Sequence, residues 1–285
     1  MLSSTLQSLL EDQQQLELNQ LIDSLQRMET RIVSIGLYNH GKSSLNNVLV
    51  GDLHNKTFKV ADIRETRDIK AVQVNDRMYV DTPGLNANKQ DEEIVNQEAK
   101  TADIILFVHN ITTGELSKKE VDALHQLKSN YADPQDFINK TYFVITRIDR
   151  VENKQDIQEC INKIQQQIRT IFNTHYGKII SVSATQYAKG LRENKSLLVE
   201  KSNIPLLQES LEQLINDSQE SIKQTKLTRL ENMFEQLNHA IETKIKNKQT
   251  QLNQFHEKSN KMKMQFEQDI KQIEQILTAK YESLA

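Results

Sequence analysis

A chain of 285 residues with a formal net charge of -3 is long enough for one large domain, or for a core domain with an elongated appendage. Its hydrophobic content of 37%, without any Trp, is low for a wholly compact protein and favours the appendage. Lys and Arg are interspersed among Asp and Glu and form no basic stripe, so we expect no nucleic-acid partner.

The N-terminal flank predicts an amphipathic helix. Leu recurs near helical spacing, and no Gly or Pro interrupts the pattern before Gly36. The flank lacks the basic and continuous apolar segments of a secretory signal, and no stretch of the chain approaches the roughly 20 apolar residues that span a bilayer. We therefore expect a soluble, cytoplasmic protein whose contact with a membrane, if any, is peripheral.

A phosphate-binding loop is predicted directly after the apolar segment RIVSI. The loop reads GLYNHGKSS, in which Gly36, Gly41, Lys42 and Ser43 satisfy the pattern G-x-x-x-x-G-K-[ST] between a strand and a helix. Such glycines let backbone N-H groups face phosphate oxygens, the lysine adds a cation, and the hydroxyl can bind Mg²⁺.

The middle of the chain alternates strand and helix patterns. The predicted strands are residues 31–37, 69–74, 78–81, 103–109, 141–146 and 178–183. The predicted helices are residues 42–50, 91–100, 117–129 and 154–173. This alternation predicts an α/β fold with a mostly parallel sheet, helices on both faces, and a ligand site at the carboxyl ends of the strands.

Three further motifs lie at predicted strand ends. DTPG places Asp81 where a carboxylate can hold the water shell of Mg²⁺, and Gly84 where an N-H can face the last phosphate. TRID places Asp149 where a carboxylate can accept hydrogen bonds from guanine N1 and N2. SVSA places the small pair Ser183 and Ala184 where a backbone N-H can reach the guanine carbonyl.

The C-terminal flank, residues 204–285, predicts a long helix with a heptad-like apolar seam. One helix with one seam is not stable alone in water, so the seam needs a partner. The N-terminal helix or another subunit would complete such a bundle. The sequence leaves open whether this region is one rod or a hairpin that reverses near residues 247–253 or 259–260.

In this order, the four motifs resemble those of the P-loop GTPases. The stretches RIVSIGLYNHGKSSLNNVLVGD, DIRET and YVDTPGLNANKQDEEIVNQEAKTADIILFVHNITTGELSKKEVDAL are similar to bacterial dynamin-like GTPases. The resemblance implies a GTPase domain at residues 30–203 with a sheet of six or more strands, flanked by bundle or neck helices at 1–29 and 204–285. It also implies GTP and GDP as ligands, Mg²⁺ as cofactor, hydrolysis of GTP to GDP and phosphate, and a homodimer formed through the GTPase domains.

The resemblance also implies residue roles. Thr66 in DIRET matches the threonine that completes the Mg²⁺ shell, with Thr57 as the competing choice. The expected Mg²⁺ ligands are Ser43, Thr66 and, through water, Asp81. The expected catalytic residues are Lys42, Ser43, Thr66 and Asn39. The expected nucleotide-binding residues are Gly36, Asn39, His40, Gly41, Lys42, Ser43, Ser44, Asp81, Gly84, Thr146, Arg147, Asp149, Ser183 and Ala184.

Three positions bear on the hydrolysis rate. Leu85 follows DTPG where Ras-type GTPases carry a glutamine. Tyr38 either packs over the nucleotide, crowds out an arginine finger, or is an exposed loop aromatic. Asn39 matches the residue that binds K⁺ in potassium-activated GTPases, or is a loop residue that tolerates unusual backbone angles. A further departure concerns the base and not the rate: Arg147 replaces the usual Lys, and its stem could still cover the guanine plane.

Three functions remain open. The leading hypothesis is a dynamin-like GTPase that couples its nucleotide state to a helical bundle, with peripheral membrane contact as an option. The second is a nucleotide-dependent interaction module with negligible turnover. The third is a potassium-activated GTPase of the ribosome or tRNA type. His40 is expected to be incidental to catalysis, and the scattered His109 and His125 predict no zinc site.

Overall fold

The structure is a computed structural model. It describes residues 18–19, 21–23, 29–58, 70–85, 88–131, 133–174 and 178–282. The chain divides into two compact units, Asp23–Lys226 and Met1–Ile22 with Leu227–Ala285. Most of the predicted N-terminal helix at 1–29, and Thr66, lie outside the described residues.

A six-stranded sheet forms the centre of the unit Asp23–Lys226. Its strands are β1 Thr30–Ile35, β2 Lys70–Val74, β3 Arg77–Asp81, β4 Ile104–Asn110, β5 Thr141–Thr146 and β6 Ile179–Ser181. They lie in the order β2-β3-β1-β4-β5-β6, and only the pairing of the edge strand β2 with β3 is antiparallel. The predicted mostly parallel sheet is therefore confirmed.

The central strands are apolar because helices cover both of their faces. Every residue of β4 and of β5 is buried, whereas the edge strand β2 alternates half-buried and exposed positions. Continuous apolar runs are typical of parallel strands that are covered on both faces. Alternation of buried and exposed residues is typical of an edge strand with one solvent-exposed face.

Apart from the helical residues 18–19 and 21–23, the described part of the chain forms eight α-helices. They are α1 Lys42–Leu49, α2 Lys89–Thr101, α3 Lys118–Ser129, α4 Pro134–Asn139, α5 Lys154–Phe172, α6 Ala184–Arg192, α7 Ser196–Lys201 and α8 Ile204–Glu282. Polar side chains cap the N-termini of several helices. The Asn88 side chain accepts a hydrogen bond from the Asp91 N-H, and Ser117 forms a capping box with Glu120. The sequence did not predict α4, α6 and α7 as separate helices.

Two apolar clusters hold helices on opposite faces of the sheet. One cluster includes Val95, Leu124, Phe137 and Ile164 from α2 to α5. The other joins the sheet to α1, α6 and the first turns of α8; its helical members include Leu45, Val48, Ala188, Ile204, Leu207 and Leu211. The first part of α8 therefore belongs to the core of the sheet-containing unit.

The C-terminal region forms one continuous helix. Both segments at which the sequence permitted a reversal, 247–253 and 259–260, lie inside α8. In the unit that contains Leu227–Ala285, large apolar side chains of the predicted seam are exposed; these are Ile245, Leu252, Phe255, Met262, Phe266, Ile270, Ile273 and Leu277. The rod interpretation of this helix is therefore the one that the structure supports.

Within the described ranges, no helix has an apolar stretch long enough to cross a lipid bilayer.

A buried ion pair anchors α8 at the amino ends of the strands. Lys226 Nζ lies 2.9 Å from Asp103 Oδ2 and also donates to the Glu29 carbonyl oxygen. The Arg31 backbone N-H donates to the same carboxylate at 2.8 Å. Both charged side chains are at most 5% exposed, so each neutralises a charge that water does not reach.

Replacing Lys226 should destabilise the sheet-containing unit. In Lys226→Met the Asp103 carboxylate stays buried without its cation, which should lower the free energy of unfolding by about 3 kcal/mol. Urea unfolding followed by circular dichroism measures this change. The exposed Lys223→Met on the same helix is the control, and equal midpoints for the two variants would contradict the prediction.

Candidate functional site

The loop between β1 and α1 lies against β4 and forms the floor of the site. A Cβ built on Gly36 would meet the Val108 carbonyl oxygen at 2.2 Å, so this position accepts only glycine. Gly41 precedes α1 with a φ of +91° and carries no side chain that could cap the helix. The first N-H groups of α1 are therefore presented to the loop, where they suit an anion.

Lys42 is buried inside the curve of this loop. Its Nζ donates to the carbonyl oxygens of Gly36 at 3.0 Å and Leu37 at 3.1 Å. Burial lowers the pKa of Lys42 to about 8, although the Asp81 charge opposes part of that shift. An anionic phosphate beside Nζ would compensate the buried charge.

A hydroxyl and a carboxylate meet where β3 ends beside α1. Ser43 Oγ donates to Asp81 Oδ2 at 2.6 Å, and Asn46 Nδ2 lies 3.4 Å from Asp81 Oδ1. Burial raises the pKa of Asp81, and Lys42 and Ser43 oppose that shift. Adjacent hydroxyl and carboxylate oxygens are the donors that Mg²⁺ prefers, so Ser43 and Asp81 fit a magnesium site.

The DTPG turn packs directly on the loop. Thr82 Oγ1 donates to the Ser34 carbonyl oxygen at 2.8 Å, and Leu85 N-H donates to that of Gly36 at 3.1 Å. A Cβ on Gly84 would lie 2.7 Å from the Tyr38 backbone nitrogen, so no larger residue fits here. The Tyr38 side chain is 43% exposed.

The ends of β5 and β6 form the opposite wall. Ser183 Oγ donates to Asp149 Oδ1 at 2.5 Å and accepts from Gln186 N-H at 3.0 Å, which also caps α6. Asp149 is exposed, and Ala184 is the first residue of α6. The structure thus brings the TRID and SVSA motifs together.

Thr146 connects this wall to the phosphate loop. Its hydroxyl lies 2.7 Å from the His40 carbonyl oxygen and 3.1 Å from that of His109. The Arg147 guanidinium donates to the Asn39 carbonyl oxygen at 2.7 Å and to Asn39 Oδ1 at 2.6 Å. Sequence reasoning assigned both residues to the base and missed these contacts, because they join positions 37 to 108 residues apart.

Of the two candidates for the threonine that completes the Mg²⁺ shell, the structure describes only one. Thr66 lies outside the described residues, so its role stays a prediction. Thr57 follows α1, and its N-H donates to Asp52 Oδ2 at 2.6 Å in a turn that the same carboxylate organises. Ser44 lies in the first turn of α1, beside the other loop residues.

A buried charged cluster behind the loop was not anticipated from the sequence. His109 Nδ1 lies 2.7 Å from Glu120 Oε1, and His109 Nε2 lies 2.7 Å from the Gly114 carbonyl oxygen. His40 Nδ1 approaches the same Glu120 oxygen at 3.3 Å without forming a hydrogen bond. His40 is thus a buried part of the loop that contacts β4 and α3, and only the capping box around Glu120 was visible in the sequence.

The cluster is an ion pair. Burial disfavours the charged form of His109, but hydrogen bonds with Cys160 and Glu120 outweigh it and raise the pKa to about 9. Burial raises the pKa of Glu120, but the hydrogen bond from His109 outweighs it and holds that pKa well below its ordinary range. Both ring nitrogens of His109 face acceptors, so the ring is an imidazolium without a lone pair for a metal.

The sequence matches the profile of the 50S ribosome-binding GTPase family over residues 31–174, about half of the chain. A curated relative, an uncharacterized protein of Acinetobacter baylyi, is 35% identical over 187 residues. The match covers 65% of this chain and 42% of that protein. The chain thus spans about two fifths of the length of this relative.

Two solved structures are similar in fold. LeoA, a bacterial dynamin GTPase from ETEC, superposes with a TM-score of 0.54 at 15% identity and covers 81% of this chain and 48% of its own. An oligomerised bacterial dynamin pair gives a TM-score of 0.53 at 16% identity and covers 93% of this chain and 50% of its own. The predicted resemblance to bacterial dynamin-like proteins is confirmed at the level of the fold.

The buried ion pair should make stability depend on pH. The His109 contribution is complete below its ordinary pKa of 6.5 and is lost as the pH rises through about 9. Glu120→Gln keeps the capping box but removes the charge, so it should lower the free energy of unfolding by about 3 kcal/mol at pH 6 and by less at pH 10. Urea unfolding at both pH values measures the difference, with the exposed Glu115→Gln as control.

Proposed function

Because the chain belongs to the 50S ribosome-binding GTPase family, we propose that it binds GTP and hydrolyses it to GDP and phosphate with Mg²⁺ as cofactor. One observation carries the proposal. The Lys42, Ser43 and Asp81 side chains and the contact of Asp149 with Ser183 occupy two walls at the same edge of the sheet. A single ligand would therefore place its phosphates on one wall and its base on the other.

The phosphate wall provides charge and position. Lys42 would exchange its two loop carbonyls for phosphate oxygens, and the N-terminus of α1 would face the same anion. Ser43 and Asp81 would hold Mg²⁺, which neutralises charge that develops on the phosphates. Catalysis in such a site is mostly electrostatic, so the close placement of these groups matters more than any single proton transfer.

The base wall provides specificity. The exposed Asp149 carboxylate would accept two hydrogen bonds from guanine N1 and N2, and Ser183 would hold it in place. Adenine lacks this pair of donors. A site built to pair both donors leaves its carboxylate unsatisfied with ATP, which disfavours the wrong nucleotide.

The hydrolysis is proposed to act within a dynamin-like protein. The described α8 begins in the core of the sheet-containing unit, and proteins with the same fold include one named as an oligomerised bacterial dynamin pair. We extend this to a homodimer through the GTPase domains and to a helical bundle that a partner subunit could complete. The proposed location is the cytoplasm, with any membrane contact peripheral.

A second candidate function is a nucleotide-dependent interaction module with negligible turnover. The Leu85 side chain is apolar and buried, so it cannot orient a water molecule. Its backbone N-H already donates to the Gly36 carbonyl oxygen. The module would bind GTP and change its contacts, but release phosphate slowly. Tight retention of GTP without phosphate release would favour it.

Asp149→Asn should change base preference. An amide in place of the carboxylate loses one acceptor and gains a donor, which suits xanthine, because xanthine carries a carbonyl in place of the guanine amino group. Affinity for GTP should fall about a hundredfold, and affinity for XTP should rise. Calorimetric titration with GTP, XTP and ATP measures the preference.

The exposed Asp156→Asn on α5 is the matched control and should leave all three affinities unchanged. If the parent protein bound ATP as well as GTP, or bound neither, the proposed function would be wrong.

Dimerisation through the GTPase domains should appear as a dependence on concentration. The GTP turnover per chain should rise with protein concentration, and the mass measured by light scattering should double with a non-hydrolysable GTP analogue and Mg²⁺. Lys42→Ala, which loses the phosphate contact, should stay monomeric. A monomer in every nucleotide state, with constant turnover per chain, would contradict the proposed dimer but not the proposed GTP hydrolysis.

A further inference from the structure

Asn39 and Arg147 form a contact that the proposed reaction does not by itself require. One guanidinium nitrogen of Arg147 donates to both oxygens of Asn39, at 2.7 Å to the carbonyl and 2.6 Å to Oδ1. The Asn39 side chain is thus bound by a protein cation through the oxygen that a monovalent metal ion would need.

The backbone of both residues is shaped for this contact. Asn39 has a φ of +62° and Arg147 a φ of +63°, a left-handed conformation that non-glycine residues adopt rarely. Asn tolerates it well, but Arg does not. Such conformations persist where the surroundings hold them and cluster at functional sites.

The contact also joins the two walls of the site. Asn39 lies two residues before Gly41 in the phosphate loop, and Arg147 lies two residues before Asp149 in the base wall. Arg147 starts a short turn, Ile148–Arg150, in which Arg150 N-H donates to the Arg147 carbonyl oxygen at 3.0 Å. A change at either residue would therefore alter the spacing between the phosphate and base contacts.

An amide oxygen beside bound phosphates can be satisfied by a metal ion or by a protein cation. A guanidinium is charged at every pH of interest and is covalently attached, whereas K⁺ must be recruited from solution and stripped of water. With Arg147 in place, a monovalent ion would have to displace a charge-assisted hydrogen bond to reach Asn39 Oδ1.

We propose that the Arg147 guanidinium is the resident cation of the phosphate loop: it occupies the Asn39 oxygens in place of a monovalent ion and fixes the phosphate loop against the base wall. Arg147 is thus a positioning residue, and the site does not need K⁺. The inference rests on the proposed GTP binding and hydrolysis, and it concerns how that same site is organised.

The first test compares salts. GTP affinity and turnover of the parent protein are measured in KCl and in NaCl at equal ionic strength, with Mg²⁺ constant. We expect both quantities to agree within about twofold. Binding or turnover that is at least tenfold stronger in KCl would overturn the proposal, because it would place the ion on the oxygens that Arg147 occupies.

The second test is a double-mutant cycle on GTP affinity. Arg147→Ala should weaken binding about tenfold, and Asn39→Ala should weaken it less, because it keeps the backbone carbonyl that Arg147 also contacts. The double variant should be little weaker than Arg147→Ala alone. Arg147→Lys should recover part of the loss, because an ammonium keeps the charge but not the planar fork. Independent, multiplicative losses would overturn the proposal.

Arg150→Ala is the matched control, since its exposed side chain belongs to the same turn but is not assigned to the site. It should bind GTP like the parent and show no difference between salts. Failure of the proposed function is distinguishable: a parent protein that binds no GTP in either salt removes both proposals. A parent that binds GTP in a K⁺-dependent way removes only this one.

Discussion

The geometry of the site depends on two backbone contacts that only glycine permits. A Cβ at Gly36 would lie 2.2 Å from the Val108 carbonyl oxygen, and one at Gly84 would lie 2.7 Å from the Tyr38 nitrogen. The phosphate loop therefore has β4 on one side and the DTPG turn on the other, without a layer of side chains between them. Because the loop is confined in this way, Lys42 reaches two of its carbonyls and Ser43 reaches Asp81.

Polar contacts then attach the confined loop to segments that are distant in sequence. The Thr146 hydroxyl lies 2.7 Å from the His40 carbonyl oxygen, and Arg147 holds Asn39. His40 also packs its ring against His109 with the ring planes at 83°. Each contact uses a residue that departs from the usual GTPase motif or was taken as incidental. These residues therefore belong to one network of contacts around the phosphate loop.

The sequence predicted those features of the fold and the site that are determined by neighbouring residues. Strand periodicity, the phosphate-loop motif and the three strand-end motifs all follow from neighbouring residues, and the sheet and its long helices are confirmed. The short helices α4 and α7, of six residues each, are too short to show an apolar period. The His109 and Glu120 pair was missed for another reason: its link to His40 exists only because β1 pairs with β4, which no local pattern reveals.

The strand β1, which leads into the phosphate loop, is also linked to the buried ion pair of Lys226. At its amino end, Arg31 N-H donates to Asp103, which is paired with Lys226, the last residue of the sheet-containing unit. At its carboxyl end, β1 continues into Gly36. β1 is six residues long and pairs with β3 on one side and β4 on the other. Because one paired strand ends at the phosphate loop and begins beside the Asp103 and Lys226 pair, the same sheet hydrogen bonds position both of them.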